Sequence, residues 1–546
     1  MPEVPASLIE NGQYNIGHLC TRRQCDAGRG ERVALRWVEP DLTAVDVTFA
    51  ELDRQSNRFA NALRGLGLDA GEVLFTFLPR LPEQFYAFLG SLKAQLTTGT
   101  LFANFGDEAL LDRLGDSRAR ILVTKRSLLK KVLRIRDRLP DLRHIVLVDG
   151  GAECGKDGIH DYRTLTADAG DDFATPLTGA ETPSVLHYTS GSTGKPKGVL
   201  HAHRSVLLQS ATSRDILGLR DGDRFWCTAD QGWVTGTSYG IIGPWSLGIT
   251  QVHFGGGYDP AKWFELLERE RVSVWYTAPT ALRMLLREEE GFFRGYDLSA
   301  LRAIFSVGEP LNPEVIHWGR RVLGREIHDT WFQTETGAIA ISNRPGLEVR
   351  PGSMGQSVAG IEAAILDERG TPVAPGEQGN LCLKPGWPSM FTAYLGNAVA
   401  YGQKFRAGYY FTGDTARRDA DGYYWFLGRS DDVINTGGHL ISPFEIESAL
   451  LELPEIAESG AIGAPDELLF EKVVVFVALH AGVDWSDDLE LKVRLHLTNR
   501  VSSIATPQAV VVCERIPKNK SGKIMRRVLK ARYLGQDEGD LSTLEE

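Results

Sequence analysis

The chain has 546 residues, 42% of them apolar and 24% charged, the make-up of a globular protein too long for one ordinary core. Its 60 basic against 71 acidic residues give a formal net charge of −11. With no excess of Lys and Arg for phosphate neutralisation, nucleic acid is excluded as a main partner. The six cysteines are dispersed without a C-x-x-C pair, so neither a disulfide framework nor a zinc site is expected. The His201-x-His203 pair has no further Cys or His close by in sequence to complete a metal site. Met1–Pro5 lacks the basic and apolar regions of a secretory signal, and the longest apolar run, Val473–Leu479, is too short to span a bilayer. The expectation is a cytoplasmic protein without a membrane span.

In chain order, Thr48–Leu52 starts a helix that places Leu52, Phe59, Leu63 and Leu66 at helical spacing, closed by Gly65, Gly67 and Gly71. Strand-like runs follow at Val73–Leu78, Ile121–Thr124 and Ile145–Val148, with a helical stretch at Glu83–Ala94. The polar segment Gly155–Gly179 reads as a surface excursion before a central strand, Ser184–Tyr188. The alternation continues through a strand ending at Phe225–Asp230, a tight turn at Gly232–Gly236, a helix at Pro260–Glu270 and strands at Val272–Tyr276 and Ala303–Val307. Alternating strands and helices at this spacing predict α/β subdomains with mostly parallel sheets. Beyond about residue 350, Ile361–Leu366, Gly379–Leu383 and Tyr423–Leu427 predict a smaller β-rich, barrel-like subdomain. A polar crossing at Arg429–Asp432 then leads to a helix at Pro443–Leu453, a strand at Val473–Leu479 and a helix at Leu489–Arg500. These form a small α+β C-terminal domain, with a large N-terminal domain over residues 1–429 and the small one over 430–546.

The most informative stretch is His187–Gly198, in which an apolar strand runs into residues that are almost all Gly, Ser, Thr, Lys and Pro. It offers free backbone N–H groups, four hydroxyls and two ammonium groups, a combination suited to a polyphosphate. Lys195 is followed by Pro196, so the loop is not the G-x-x-x-x-G-K-[ST] of a Walker A motif. Further polar motifs stand at strand ends or turns, where ligands of open α/β sheets bind. These are Gly308-Glu309-Pro310, Asp329–Gly337, Tyr410–Asp414 (with one Asp after a turn), Arg429–Asp432, Asn435–His439 and Pro517–Lys523.

Together and in this order, the motifs resemble the acyl-adenylate-forming superfamily of acyl-CoA synthetases, luciferases and peptide-synthetase adenylation domains, over residues 30 to 535. Trp226–Asp230, Gly232–Gly236 and Trp331–Glu335 are most similar to AMP-forming acetyl-CoA synthetases. The resemblance implies attack of a carboxylate on the α-phosphate of ATP, release of pyrophosphate, then attack of the CoA thiol on the acyl-adenylate. It implies that Thr189, Ser190, Gly191, Ser192, Thr193, Gly194 and Lys195 hold the terminal phosphates, that Thr334 meets the α-phosphate and that Glu335 ligates Mg²⁺. Gly308, Glu309, Pro310, Asp329, Thr330, Trp331, Phe332 and Gln333 belong to the nucleotide site, and Asp414 with Arg429 to the ribose. Lys523 neutralises charge at the reacting groups. Asp431 is the hinge about which the small domain rotates, and Gly438 flanks the pantetheine tunnel. A lysine acetyltransferase and deacetylase acting on Lys523 would switch adenylation by removing its charge.

Val234, Thr235, Val307 and Phe332 match the acyl-pocket walls of the acetate enzymes. Phe332 stands where the acetate pattern has Trp and medium-chain enzymes have Gly, so the pocket is short, with acetate the first expectation and propionate close to it. One methylene distinguishes such acids by only about 1–3 kcal/mol. Two positions depart from the pattern: Leu440 replaces an Arg that contacts the adenylate phosphate, and Thr237 replaces the His common after Gly-Trp-Val-Thr-Gly. A stand-alone enzyme loading a carrier protein is the nearest rival reading. A non-catalytic nucleotide sensor would have lost Lys523 or Glu335.

Overall fold

The structure is a computed structural model describing residues 8–189, 196–429, 432–436, 439–467, 469–519, 522–539, 541 and 544. Among the described residues the large N-terminal part is built on three sheets. The first is nine-stranded, with six parallel strands at its centre, from Ile327–Trp331 through Ala303–Val307, Val274–Thr277, Arg224–Cys227 and Thr250–Phe254 to Val33–Val38. The second is eight-stranded. Its parallel core runs from Pro183–Thr189 through Thr97–Phe102, Val73–Leu78, Ile121–Thr124 and His144–Leu147 to Ile159–Asp161. The third is antiparallel and five-stranded and does not close into a barrel. The expected barrel-like subdomain is therefore an open sheet packed on the nine-stranded one, sharing a core that includes Phe305, Ile341, Leu383 and Tyr410.

Helices form where apolar spacing and caps agree. Phe49–Gly65 starts at Thr48, whose hydroxyl accepts from Glu51 N–H, and it buries Leu52, Phe59 and Leu63. Against it lies the helix Pro82–Lys93, whose terminal Lys93 is buried. The Lys93 ammonium donates to Asp53 (2.7 Å) and Asn57 (2.7 Å), so a charge removed from water keeps a full set of partners.

The segment Gly155–Gly179 departs from the expected surface excursion. It holds the edge strand Ile159–Asp161 and the helix Tyr162–Ala167, capped by Asp161. Tyr162 is buried and stacks on Phe59 at 5.5 Å. Tyr162 and Phe173, the latter under the Arg64 guanidinium at 4.0 Å, anchor this segment, too few and too unevenly spaced to register in sequence.

The smaller C-terminal part has its own five-stranded sheet, drawn from Ile434–Thr436, His439–Ile441, Ile456–Asp466, Phe470–Leu479 and Ala509–Val512. The helices Pro443–Leu450 and Asp487–Arg500 close one core against it. Among the described residues no helix is long and apolar enough to cross a membrane.

Five buried histidines are held neutral chiefly by burial: His187, His203 and His253 are pushed down to about 3, and His201 and His328 to about 4. The unfolded chain protonates each near 6.5, so on acidification it binds protons that the native state refuses. Stability from this source is complete above about pH 6.5 and falls as pH drops toward 4, by about 1.4 kcal/mol per histidine per pH unit. Urea unfolding at pH 7.5 and 5.5 should show a marked loss of midpoint at the lower pH. A midpoint independent of pH across this window would contradict the burial of neutral imidazoles.

Candidate functional site

Three adjacent parallel strands, Val274–Thr277, Ala303–Val307 and Ile327–Trp331, end along one edge of the nine-stranded sheet. Their ends deliver Thr280, then Gly308-Glu309-Pro310, then Trp331-Phe332-Gln333 to a cleft of about 880 Å³. Asp329, Thr330, Asp414, Arg429 and Lys523 also line it, so motifs spread over nearly 250 residues of sequence share one site. Glu309 accepts from the Thr280 hydroxyl at 2.8 Å and pairs with Arg283. Asp329 is buried and accepts from the Thr330 N–H at 3.1 Å. Burial pushes its carboxyl well above the usual range, against the lowering effect of hydrogen bonds from the Thr330 and Leu311 backbone.

Asp414 lies inside the strand Tyr409–Arg418, not after a turn as its Gly-rich surroundings imply. Register places it opposite Arg429 of the strand Tyr424–Arg429. Its Oδ1 accepts from Arg429 Nη1 at 2.9 Å, and its Oδ2 from Trp331 Nε1 and Gln333 Nε2, each at 3.0 Å. A carboxylate only 5% exposed is thus met by one charged and two neutral donors. It fixes both the indole and the amide of the segment after Trp331.

The next residues are held equally firmly. His201 places Nε2 2.8 Å from the Thr334 carbonyl and Nδ1 3.1 Å from the Ser389 carbonyl. Trp387 Nε1 and Ser389 Oγ donate to the Thr336 carbonyl, at 3.0 and 2.6 Å. Gly337 has φ +69°, and a Cβ there would meet Ser389 O at 2.4 Å and His201 Cε1 at 2.8 Å, so only glycine fits. Glu335 Oε1 accepts from the Tyr394 hydroxyl at 2.7 Å. The Lys197 ammonium lies 5.5 Å from the Tyr394 ring. The Glu335 carboxylate is half-buried and suits a hard divalent cation, with Oε1 oriented by the phenol and Oε2 outside that bond.

Lys523 lines the cleft from the C-terminal part, where Asn519 N–H donates to Lys523 O (2.8 Å) and Gly522 N–H to Asn519 O (2.7 Å). Water in the cleft reaches Lys523, yet protein surrounds it. Its ammonium is lowered first by removal from bulk water and then by Arg429, with Asp432 and Asp414 acting the other way. This segment sits hard against the N-terminal part: a Cβ on Gly522 would meet Thr280 Oγ1 at 2.1 Å. Asn312 Nδ2 to Ser448 Oγ (3.0 Å) and Arg287 Nη2 to Ala457 O (2.9 Å) hold the two parts together nearby.

Of the expected acyl-pocket residues, Phe332 faces the cleft and packs edge-on against Tyr239 at 5.5 Å. Val307 is buried in the core against which Phe332 packs, Thr235 is buried in the short helix Val234–Thr237, and Val234 is half-buried. Thr189 ends its strand paired opposite Lys197. Ser190, Gly191, Ser192, Thr193, Gly194, Lys195, Asp431 and Gly438 lie outside the described residues, as does the side chain of Leu440.

Sequence reasoning missed Tyr394, Thr280 and His187. His187 is buried and sits 2.8 Å from Thr237 Oγ1, through Nε2. The one available signal was a histidine inside an otherwise apolar strand. The H-x-H pair is no metal site: His203 Nδ1 accepts from Ile16 N–H (3.0 Å), away from the contacts of His201. No metal-holding cluster exists among the described residues.

The family model of AMP-binding enzymes matches residues 21–395, and that of the AMP-binding enzyme C-terminal domain matches 445–523. The acetyl-coenzyme A synthetase of Bacillus subtilis (strain 168) is 43% identical over 98% of this chain and 93% of its own. Among solved structures, the anthranilate CoA ligase AuaEII in complex with anthranoyl-AMP overlays with a TM-score of 0.87 at 31% identity, over 96% of this chain and 98% of that one. A Brucella canis acyl-CoA synthetase overlays at 0.75 with 34% identity, over 97% and 96%.

Asp414→Ala would take the carboxylate away from Arg429, leave Trp331 Nε1 without its acceptor and leave Gln333 Nε2 with only the Thr412 carbonyl. The expected cost is on the order of 3 kcal/mol in chemical denaturation. An unchanged denaturation midpoint would show that Asp414 does not hold the segment.

Proposed function

We infer that this chain, which belongs to the AMP-binding enzyme family, is an AMP-forming ligase joining a short carboxylic acid, acetate first, to coenzyme A. The observation that carries this reading is full-length similarity to an acetyl-coenzyme A synthetase, in a chain whose Asp414, Trp331, Gln333 and Lys523 meet in one cleft. In the first step a carboxylate oxygen attacks the α-phosphorus of ATP, and pyrophosphate leaves with the bond electrons. In the second, the CoA thiol attacks the acyl carbon and AMP leaves.

Adenine takes the slot between Gly308-Glu309-Pro310 and Trp331, next to Asp329 and Thr330. The ribose hydroxyls bind Asp414, a reading supported by its rigid hold on Trp331, Gln333 and Arg429. Thr334 meets the α-phosphate, and residues 189–195 hold the departing pyrophosphate. Glu335, steadied by Tyr394, takes Mg²⁺, which supplies charge neutralisation between the phosphates when bound. Lys523 approaches the carboxylate and α-phosphate as two anions meet. Acetylation of that amine, which cleft water reaches, would silence this step.

Residues 430–546 move as one body about Asp431 between the steps, withdrawing Lys523 so that CoA enters past Gly438. Support comes from the better overlay on the adenylate-bound ligase than on the Brucella enzyme of higher identity, which fits an adenylate-forming arrangement of the two parts here.

Phe332, braced by Tyr239, keeps the acyl site short. The likeness to an anthranilate ligase favours a second reading, an aromatic acid, which the substrate test separates. Purified protein with ATP, Mg²⁺, CoA and single acids of two to eight carbons, plus benzoate and anthranilate, should form AMP fastest with acetate or propionate. Turnover of benzoate or hexanoate with none of acetate or propionate would overturn the short-chain assignment. Lys523→Ala should lower acetate-dependent ATP–pyrophosphate exchange by at least about a hundredfold, while thioester formation from supplied acetyl-AMP persists. Equal loss of both would contradict the role of Lys523.

A further inference from the structure

The turn that follows the strand Arg224–Cys227 starts fastened to the nine-stranded sheet, through Thr228 Oγ1 to Thr277 Oγ1 (2.8 Å), but further fastenings come from the eight-stranded one. Arg80 Nη2 donates to the Thr228 carbonyl at 2.7 Å, and the Thr100 hydroxyl donates to the Gln231 carbonyl. The His187 ring meets the far end of the next few residues through a contact of 2.8 Å between Nε2 and Thr237 Oγ1, and at the near end the Gly232 backbone favours its protonated form. Thr237 Oγ1 in turn lies 3.1 Å from the Val234 carbonyl. Val234 and Thr235, expected to wall the acyl pocket, are the residues between these fastenings.

We propose that His187 is a positioning residue for the carboxylic acid substrate, registering the turn 232–237 onto the strand that enters the phosphate loop. The proposal rests on the ligase reading for the identity of the substrate. Position 237 is where the resemblance leads one to expect a histidine. Here Thr occupies it and the imidazole comes from residue 187, two positions ahead of Thr189.

In this chain the imidazole at the seam is carried by the strand Pro183–Thr189. The acyl-pocket turn therefore takes its position from the phosphate-loop hairpin. His187 is 3% exposed and neutral, so it supplies a hydrogen-bonding scaffold and not a charge. It reaches the acid only through the turn.

The test compares wild type with His187→Leu, Thr237→Val and the double variant His187→Leu/Thr237→His, which moves the imidazole back to position 237. Acetate-dependent ATP–pyrophosphate exchange gives KM for acetate and for ATP, and hydrogen–deuterium exchange follows peptides spanning 228–240. Each single variant should raise KM for acetate about tenfold, leave KM for ATP within about twofold, and speed amide exchange in 232–237. The double variant should recover most of the loss. An unchanged KM for acetate, or KM values for acid and ATP rising together with a general loss of protection, would overturn the proposal. If wild type shows no acid-dependent exchange with any acid, the ligase reading fails. Hydrogen exchange then still decides whether His187 holds the turn.

Discussion

The cleft is referenced to one β-hairpin, Pro183–Thr189 paired with Lys197–Ala202, and to the two buried imidazoles it carries. His187, ahead of the phosphate-loop candidate, meets Thr237 of the turn at 232–237, and His201, behind it, faces the carbonyls of Thr334 and Ser389, one of which accepts its single N–H. Each ring is neutral because burial opposes its charge, so each acts through directed hydrogen bonds in a low-dielectric setting, where a misplaced partner is costly. The strand that leads to the expected phosphate loop, the turn 232–237 and the segment at Thr334 come from distant parts of the chain. The hairpin lets them share one frame without a covalent or metal link.

The charges are arranged around that frame in two ways. Asp414 is fully partnered by Arg429, Trp331 and Gln333, which gives a rigid, pre-formed acceptor. Lys523 is different: it comes from the C-terminal part, stands in the water of the cleft and has its charge opposed by both burial and Arg429. A rigid acceptor and a separately carried ammonium suit a reaction in which the nucleotide stays while the neutralising charge comes and goes. The close approach of Gly522 to Thr280 sets how far that ammonium enters.

Much of this was legible in the sequence wherever function sits at strand ends, because polar or Gly-rich residues interrupt an apolar run there. Gly308-Glu309-Pro310 and Asp329–Gly337 stand where their motifs predict. What the residues alone could not reveal were pairings across large sequence distance. Asp414 reads as a turn residue because Gly413 precedes it, yet it is paired within a strand to Arg429. The strand Ile456–Asp466 escaped notice since Gly460, Gly463 and Pro465 dilute its β character. The partners of His187 and His201 carry no local signal, because they lie 50 and 133 residues away. The short strand Lys197–Ala202, paired with Pro183–Thr189 on one side and Ala393–Tyr394 on the other, was hidden behind the composition of the residues before it.

The central claim is that the acid is activated as an adenylate by direct attack on the α-phosphorus. Acetate labelled with ¹⁸O in its carboxylate, turned over with ATP and CoA, tests it most directly by mass spectrometry of the nucleotide product. The account predicts one labelled oxygen in the phosphate of AMP, since that oxygen bonds to phosphorus in the first step and leaves with it in the second. Unlabelled AMP, or label in inorganic phosphate accompanied by ADP, would contradict it.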